Sequence, residues 1–315
     1  MADSFEVVTN SFLEYKKQFV KMSTLCIYRA IIQKHILPTF KERKQLEKYE
    51  INEFVKNKRN DGLSRKRIKD ILVVLKRILR FAQKNHRRKI DVSEIRVPLK
   101  EEKKNIQVLS KKDERKLLSY LQENFSFENL GILICLQTGM RIGEICGLMW
   151  KDISLDCNEI SVNRTIERIY LNEKEKKTEL IVSEPKTIHS KRSIPLTSSL
   201  LKIRKPLKKI VNDSFYLLTN SSKPLEPRVY RNHFKKLLND IGINPIKFHG
   251  LRHTFATRCI ECNSNYKAVS SILGHSNISI TLDLYVHPSN DEKKRCIENR
   301  RKGIEGRKIF VFKNK

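Results

Sequence analysis

The chain has 315 residues, enough for two domains with a substantial core, and a formal charge of +30 from 65 Lys and Arg against 35 Asp and Glu, which predicts a polyanionic partner. No apolar run approaches the roughly 18 residues of a membrane-spanning helix, and the start, Met1 to Glu6, lacks the basic and apolar regions of a signal peptide. The seven scattered cysteines suit free thiols in a reducing cytoplasm rather than a disulfide framework. Charge alone leaves DNA, RNA and an anionic membrane surface open, and it names no activity.

Residues 4–88 read as helices throughout. Phe5, Val8, Phe12, Tyr15 and Phe19 recur at helical spacing. Ser23 or Thr24 is expected to cap a second helix carrying Leu25, Tyr28, Ile31, Ile32 and Ile36, with Pro38 as its stop. A shorter helix carries Ile51, Phe54 and Val55 and ends at Asp61-Gly62. Ser64 then caps a long helix with Ile68, Ile71, Leu72, Leu75, Ile78, Leu79 and Ala82 inward. Its other faces carry Arg65, Lys66, Lys69 and Lys76 with few acidic partners, so a DNA-facing surface is expected there.

From about Arg87 to Gln107 the periodicity weakens around Pro98 and the charged cluster Lys100 to Lys104, which reads as an interdomain linker at residues 98–107. Ser110 with Asp113 marks an N-cap opening the second domain. Helices are expected around 111–124 and 128–138, the latter closed by Gly139. β-branched residues at Ile160 to Val162, Thr165-Ile166, Ile181-Val182 and Ile194 predict a small antiparallel sheet with a hairpin. Helices resume near 197–211 and 226–241 and continue through 285. The last residues end in a strand-like run, Ile309 to Phe312.

The chemistry concentrates between His249 and Tyr285: His249-Gly250-Leu251-Arg252-His253, then Leu273-Gly274-His275, then Tyr285. Upstream stand Thr138-Gly139-Met140-Arg141-Ile142-Gly143-Glu144 and Pro185-Lys186-Thr187. These are the parts needed to attack a phosphodiester with a side-chain hydroxyl. Arginine neutralises the non-bridging oxygens with a planar fork that stays charged. Tyrosine is a fair leaving group as well as a nucleophile, so a phosphotyrosine link stores the bond energy for resealing. A lysine with a lowered pKa serves as general acid. His249 and His253 at i,i+4, with Cys259 and Cys262 on the same predicted helix, also permit a zinc reading. It lacks a second cysteine pair, and no metal is expected.

In order, spacing and flanking residues the chain resembles the tyrosine recombinases, also called phage integrases, over nearly its whole length. Arg141 and Glu144 match the first motif. Lys186 matches the hairpin lysine, in the context Pro185-Lys186-Thr187 followed by Arg192-Ser193-Ile194-Pro195-Leu196, with Lys191 as a competing general acid. His249 and Arg252 match His-x-Leu-Arg-His, His275 matches Leu-Gly-His, and Tyr285 follows as nucleophile. The resemblance makes Glu144 a support for the cluster; His253, beside these residues, reads as a structural neighbour rather than a catalyst. It implies that Arg141, Arg252 and His275 hold the phosphoryl oxygens, that Lys186 protonates the leaving oxygen, and that His249 assists proton transfer at the nucleophile.

The fold implied is mainly α with a small antiparallel β-sheet. A helical core-binding domain (1–97) and a catalytic domain (108–290) would clamp duplex DNA in a C shape, and a tail (291–315) would either pass between protomers or touch DNA as a disordered basic segment. The implied function is site-specific recombination through a 3′-phosphotyrosine and a Holliday junction, with no cofactor. The expected partners are core DNA sites, a homotetramer on two of them and an accessory directionality factor, in the bacterial cytoplasm at the nucleoid. The core-binding helices begin almost at once, leaving no room for an arm-binding domain. The wording Phe248 to Thr257 looks most like an integrase of a phage or transposon. A Xer-like resolvase, an invertase, a type IB topoisomerase-like relaxase and a catalytically silent DNA-binding regulator are the alternatives.

Overall fold

The computed structural model describes residues 4–85, 106–172, 177–185, 190–207 and 209–285, and beyond them Lys294, Ile297, Glu298 and Arg300. Lys186, most of the predicted linker and the run Ile309 to Phe312 lie outside the described residues. The chain packs as two units, residues 1–105 with 167–181, and residues 106–166 with 182–315.

The first unit is helical around one apolar core. Helix α1 (Phe5–Lys17) starts at Ser4, whose hydroxyl accepts from the Val7 amide. It buries Phe5, Val8 and Phe12. Phe19 falls beyond its end and is 63% exposed, leaning on Tyr15 at 4.9 Å between ring centroids, so it is not the core residue that the spacing predicts. Helix α2 (Met22–Ile31) runs without interruption through a π-helical turn, Ile32–Ile36, into α3 (Leu37–Phe40). Two expectations fail here. Lys21, rather than Ser23 or Thr24, is the N-cap, and Ser23 is buried on the helix. Pro38 also does not stop the chain of turns. A proline inside a helix lacks an N–H and collides with the carbonyl four residues back. The wide turn relieves both demands, because the Leu37 amide donates to Ile32 O, five residues back. The extra turn delivers Phe40 to the core, at 5.0 Å from Phe54.

Helix α4 (Lys48–Asn60) is capped by Glu50, whose carboxylate accepts from the Glu47 amide at 2.9 Å. Gly62, at φ +75°, reverses the chain. Helix α5 (Arg65–Asn85) opens with the Ser64 hydroxyl accepting from the Arg67 amide. Its inward stripe is Ile68, Ile71, Leu72, Val74, Leu75, Ile78, Leu79 and Ala82, all buried. Each large side chain so buried is worth about 1.5–3 kcal/mol, which makes α5 the spine of the unit.

The second unit is mainly helical with a small sheet. It contains α6 (Lys111–Glu123), α7 (Phe127–Thr138), α8 (Ile142–Cys146), β1 (Ile153–Ser154) and β2 (Glu159–Val162). Strands β3 (Thr165–Asn172) and β4 (Lys177–Ser183) pair with each other, and their residues 167–181 belong to the first unit. Then come β5 (Arg192–Pro195), α9 (Ser198–Leu207), α10 (Pro227–Asp240), α11 (His249–Glu261), α12 (Tyr266–Leu273) and α13 (Ile278–Tyr285). Strand β2 is central in an antiparallel sheet of order β1-β2-β5, with Ile160 opposite Ile194. Helix α7 is apolar all round and buried on every side from Asn129 to Leu136, which is the pattern of a core helix. No helix among the described residues is long and apolar enough to cross a membrane.

Candidate active site

Two left-handed glycines set the backbone of the site. Gly139 (φ +66°) closes α7, and Gly274 (φ +65°) closes α12. A Cβ on Gly139 would come within 2.6 Å of Leu273 and 2.8 Å of Phe255, so any other residue there must displace those side chains as well as hold a left-handed backbone. Past these turns the chain presents Arg141 at the N-cap of α8, and His275. The same turns supply acceptors. Arg252 Nη1 donates to Gly139 O at 2.9 Å, and Arg141 Nη2 donates to Gly274 O at 3.1 Å.

Around this frame three guanidiniums meet one carboxylate. Glu144, only 4% exposed, takes hydrogen bonds from the Arg141 amide (2.9 Å) and Arg141 Nη1 (2.8 Å). It also accepts from Arg192 Nη2 (2.9 Å) and Nη1 (3.1 Å). Arg192 Nε donates to Ile272 O. Burial pushes the Glu144 carboxyl up, but the hydrogen bonds and charges of Arg192 and Arg141 outweigh it and leave its pKa lowered. Arg252 is 2% exposed, and its Nη2 has no partner among the described residues. Burial, then the Arg141 charge, draw the Arg252 pKa down to about 9. Three cations against one anion, with a buried donor unmet, form a place for an anion.

The histidines and the tyrosine line the same place. Tyr285, the last residue of α13, packs with Ala256, Val269 and Leu273. Its hydroxyl lies 2.6 Å from His253 Nδ1. Burial raises the phenol pKa, and the charges of Arg252 and Arg141 pull it back only in part. The His249 ring stands edge-on to His253, with centroids 4.6 Å apart at 87°. His275 Nδ1 is 2.8 Å from Thr281 Oγ1. Burial, followed by neighbouring positive charge, takes both His249 and His275 down to about 4, so both rings are neutral near pH 7.

Of the residues named from sequence, Arg141, Glu144, His249, Arg252, His275 and Tyr285 gather here. Lys186 lies outside the described residues, and Lys191 is exposed. Arg65, Lys66 and Lys69 are exposed on α5 and Lys76 is half-buried there, in the first unit. Sequence reasoning gave no role to Arg192 and set His253 aside as a neighbour. One signal was available for Arg192: on a strand it shares a face with the buried Ile194, and a cation on a buried face needs a partner. Cys259 and Cys262 remain free thiols, and among the described residues no group of three or more His, Cys, Asp or Glu side chains is arranged to hold a metal ion.

The profile of the Phage integrase family matches residues 107–292, and that of the phage integrase N-terminal SAM-like domain matches residues 4–58. A tyrosine recombinase XerC-like protein of Caldanaerobacter subterraneus subsp. tengcongensis is 34% identical over 183 residues, 53% of this chain and 47% of that protein. The ICEBs1 integrase of Bacillus subtilis is 24% identical over 283 residues, 85% of this chain and 74% of that protein. The transposase from transposon Tn916 of Enterococcus faecalis is 29% identical over 204 residues, 58% of this chain and 48% of that protein. The match thus spans about half the length of the XerC-like protein and of the Tn916 transposase. Among solved structures, the Tn1549 transposon integrase in complex with a circular intermediate DNA superposes with a TM-score of 0.76 at 23% identity, covering 94% of this chain and 99% of that one. A λ integrase tetramer bound to a Holliday junction gives 0.66 at 18% identity, covering 92% of this chain and 80% of that one.

Proposed function

This chain belongs to the phage integrase family, the tyrosine recombinases, and from that premise we propose that it cuts and rejoins duplex DNA at specific sites to integrate or excise a mobile element. The observation that carries the reading is the convergence on Tyr285: its hydroxyl is buried within the field of Arg252 and Arg141 and hydrogen-bonded to an imidazole. A phenol so placed serves a phosphoryl centre held by guanidiniums.

In this reading a scissile phosphate occupies the anion place and supplies the acceptor that Arg252 Nη2 lacks. Arg141, Arg252 and His275 bind its non-bridging oxygens. Glu144 and Arg192 hold Arg141 at the correct angle. Tyr285 attacks phosphorus, a 3′-phosphotyrosine forms and the 5′ oxygen leaves, protonated by Lys186. The 5′-hydroxyl of a partner strand then reverses the step. Two such exchanges, through a Holliday junction, complete recombination. The partners are double-stranded core sites, a homotetramer spanning two of them with the tail 291–315 passed between neighbours, and an accessory directionality factor. Likeness to the ICEBs1 integrase and the Tn916 transposase fits a mobile-element role, and likeness to the XerC-like protein makes a resolvase the alternative. Its place of action is chromosomal DNA in the cytoplasm.

The test uses supercoiled plasmids carrying random or host-derived sites, incubated with the protein in EDTA and then denatured. A covalent protein–DNA adduct is expected with the wild type and not with Tyr285→Phe. An adduct that survives in the variant, or none with the wild type, sinks the reading. Joining of two different DNA segments separates recombination from relaxation alone.

A further inference from the structure

The resemblance gives proton transfer at the nucleophile to His249, yet among the described residues the imidazole on the Tyr285 hydroxyl is that of His253, at 2.6 Å. His249 stands edge-on to His253, with ring centroids 4.6 Å apart. Resting on the recombinase reading above, we propose that His253 is a catalytic residue of this chain, the base whose Nδ1 takes the phenolic proton as Tyr285 attacks.

The geometry meets the needs of that role. The heavy-atom distance lies within direct proton-transfer reach. Both partners are fixed, His253 one turn along α11 from His249 and Tyr285 at the end of α13, with Ala256, Val269 and Leu273 packed about the phenol. Acceptance at Nδ1 requires the neutral tautomer with its proton on Nε2. Burial and the Arg252 charge favour a neutral ring by lowering its pKa below 6.5. The groups facing the pair are His249 and Arg252 on the same helix, Tyr285 from α13, and Arg141, which acts on both Tyr285 and His249. As the Tyr285 Oη–P bond forms and the P–O5′ bond breaks, the phenolic proton passes to His253 Nδ1. The leaving 5′ oxygen takes its proton from the general acid, and resealing returns both.

The experiment uses a duplex carrying the core site mapped by covalent trapping, synthesised with sulfur in place of the bridging 5′ oxygen. A thiolate leaves without a general acid, so the acidic limb of the pH–rate profile reports the base at Tyr285. His253→Asn keeps an acceptor near the Nδ1 position and does not titrate. Adduct formation by this variant is expected to fall about 100-fold or more and to lose the acidic limb, while its affinity for the same duplex stays at the wild-type value. His249→Asn is expected to slow the reaction and keep the limb. A limb that persists in His253→Asn and vanishes in His249→Asn overturns the proposal. Absence of any wild-type adduct removes the recombinase reading itself, and the proposal with it.

Discussion

Arg192 and Glu144 face each other as a two-pronged ion pair, with Nη2–Oε2 at 2.9 Å and Nη1–Oε1 at 3.1 Å and side chains only 6% and 4% exposed. A pair so removed from water gives little net stability while intact, but breaking it strands a buried charge. Glu144→Gln and Arg192→Met should therefore each cost about 3–5 kcal/mol in urea unfolding, and the double variant much less than their sum. Additive losses would refute a coupled pair. Because the folded Glu144 pKa is lowered, its stabilisation is present above the ordinary carboxyl value of 4.5 and is lost as pH falls through the folded value. The gap between wild type and Glu144→Gln should close only in that acid range.

Arg252 carries the opposite balance. It is buried with an unmet donor, so the folded protein is less stable than an apolar side chain there would make it. Arg252→Met should leave the melting temperature unchanged or raise it, while cutting adduct formation by about 100-fold or more. A variant that loses stability and activity together would show Arg252 to be a structural residue.

The neutral histidines tie stability to pH. An unperturbed imidazole titrates at 6.5, whereas His249 and His275 do so near about 4 in the folded chain. The folded state binds fewer protons in that window, so their contribution is fully present above pH 6.5 and drains away as pH falls toward 4. Urea midpoints measured across this window should decline for the wild type and flatten for the His249→Gln, His275→Gln double variant. An equal slope in both would place the acid sensitivity elsewhere.

Gly62 and Gly139 share a left-handed backbone but not their surroundings. A Cβ at Gly62 (φ +75°) meets nothing within 4 Å, whereas at Gly139 (φ +66°) it strikes Leu273 and Phe255. Gly62→Ala should cost about 1–2 kcal/mol from backbone strain alone, and Gly139→Ala a further roughly 1–3 kcal/mol from overpacking. Matching losses in chemical denaturation would mean that the site relaxes around the added methyl.

Arg65, Lys66 and Lys69 stand exposed on α5, where a DNA backbone is expected to lie. Changing all three to Ala should weaken duplex binding irrespective of sequence. It should also lower the slope of log K against log salt by about 0.9 for each phosphate no longer neutralised. An unchanged slope would assign those charges to solvent.

The sequence carried the helical outline because inward residues such as Ile68, Ile71, Leu75 and Leu79 repeat at helical spacing, and because Ser64, Ser110 and Gly139 punctuate the ends. It carried the site through the order, spacing and flanking residues of the motifs that hold Arg141, Arg252, His275 and Tyr285. It missed what depends on three dimensions. Pro38 reads as a stop because local rules do not foresee a π turn making room for it. His253 reads as a neighbour because adjacency to Arg252 in sequence hides a contact 32 residues away. Arg192 was visible as motif context, but its pairing spans 48 residues and passes between a strand and a short helix.

In the mobile-element role proposed above, the two glycine caps at Gly139 and Gly274 bear on how decayed copies are recognised. Any single-base change that turns either codon into one for another amino acid adds a Cβ where the backbone is left-handed. A copy can therefore fall silent with every arginine, histidine and tyrosine of its site still written in the gene. Sorting living elements from dead ones in a genome by their catalytic residues alone will overcount the living, and these two positions belong on the same checklist.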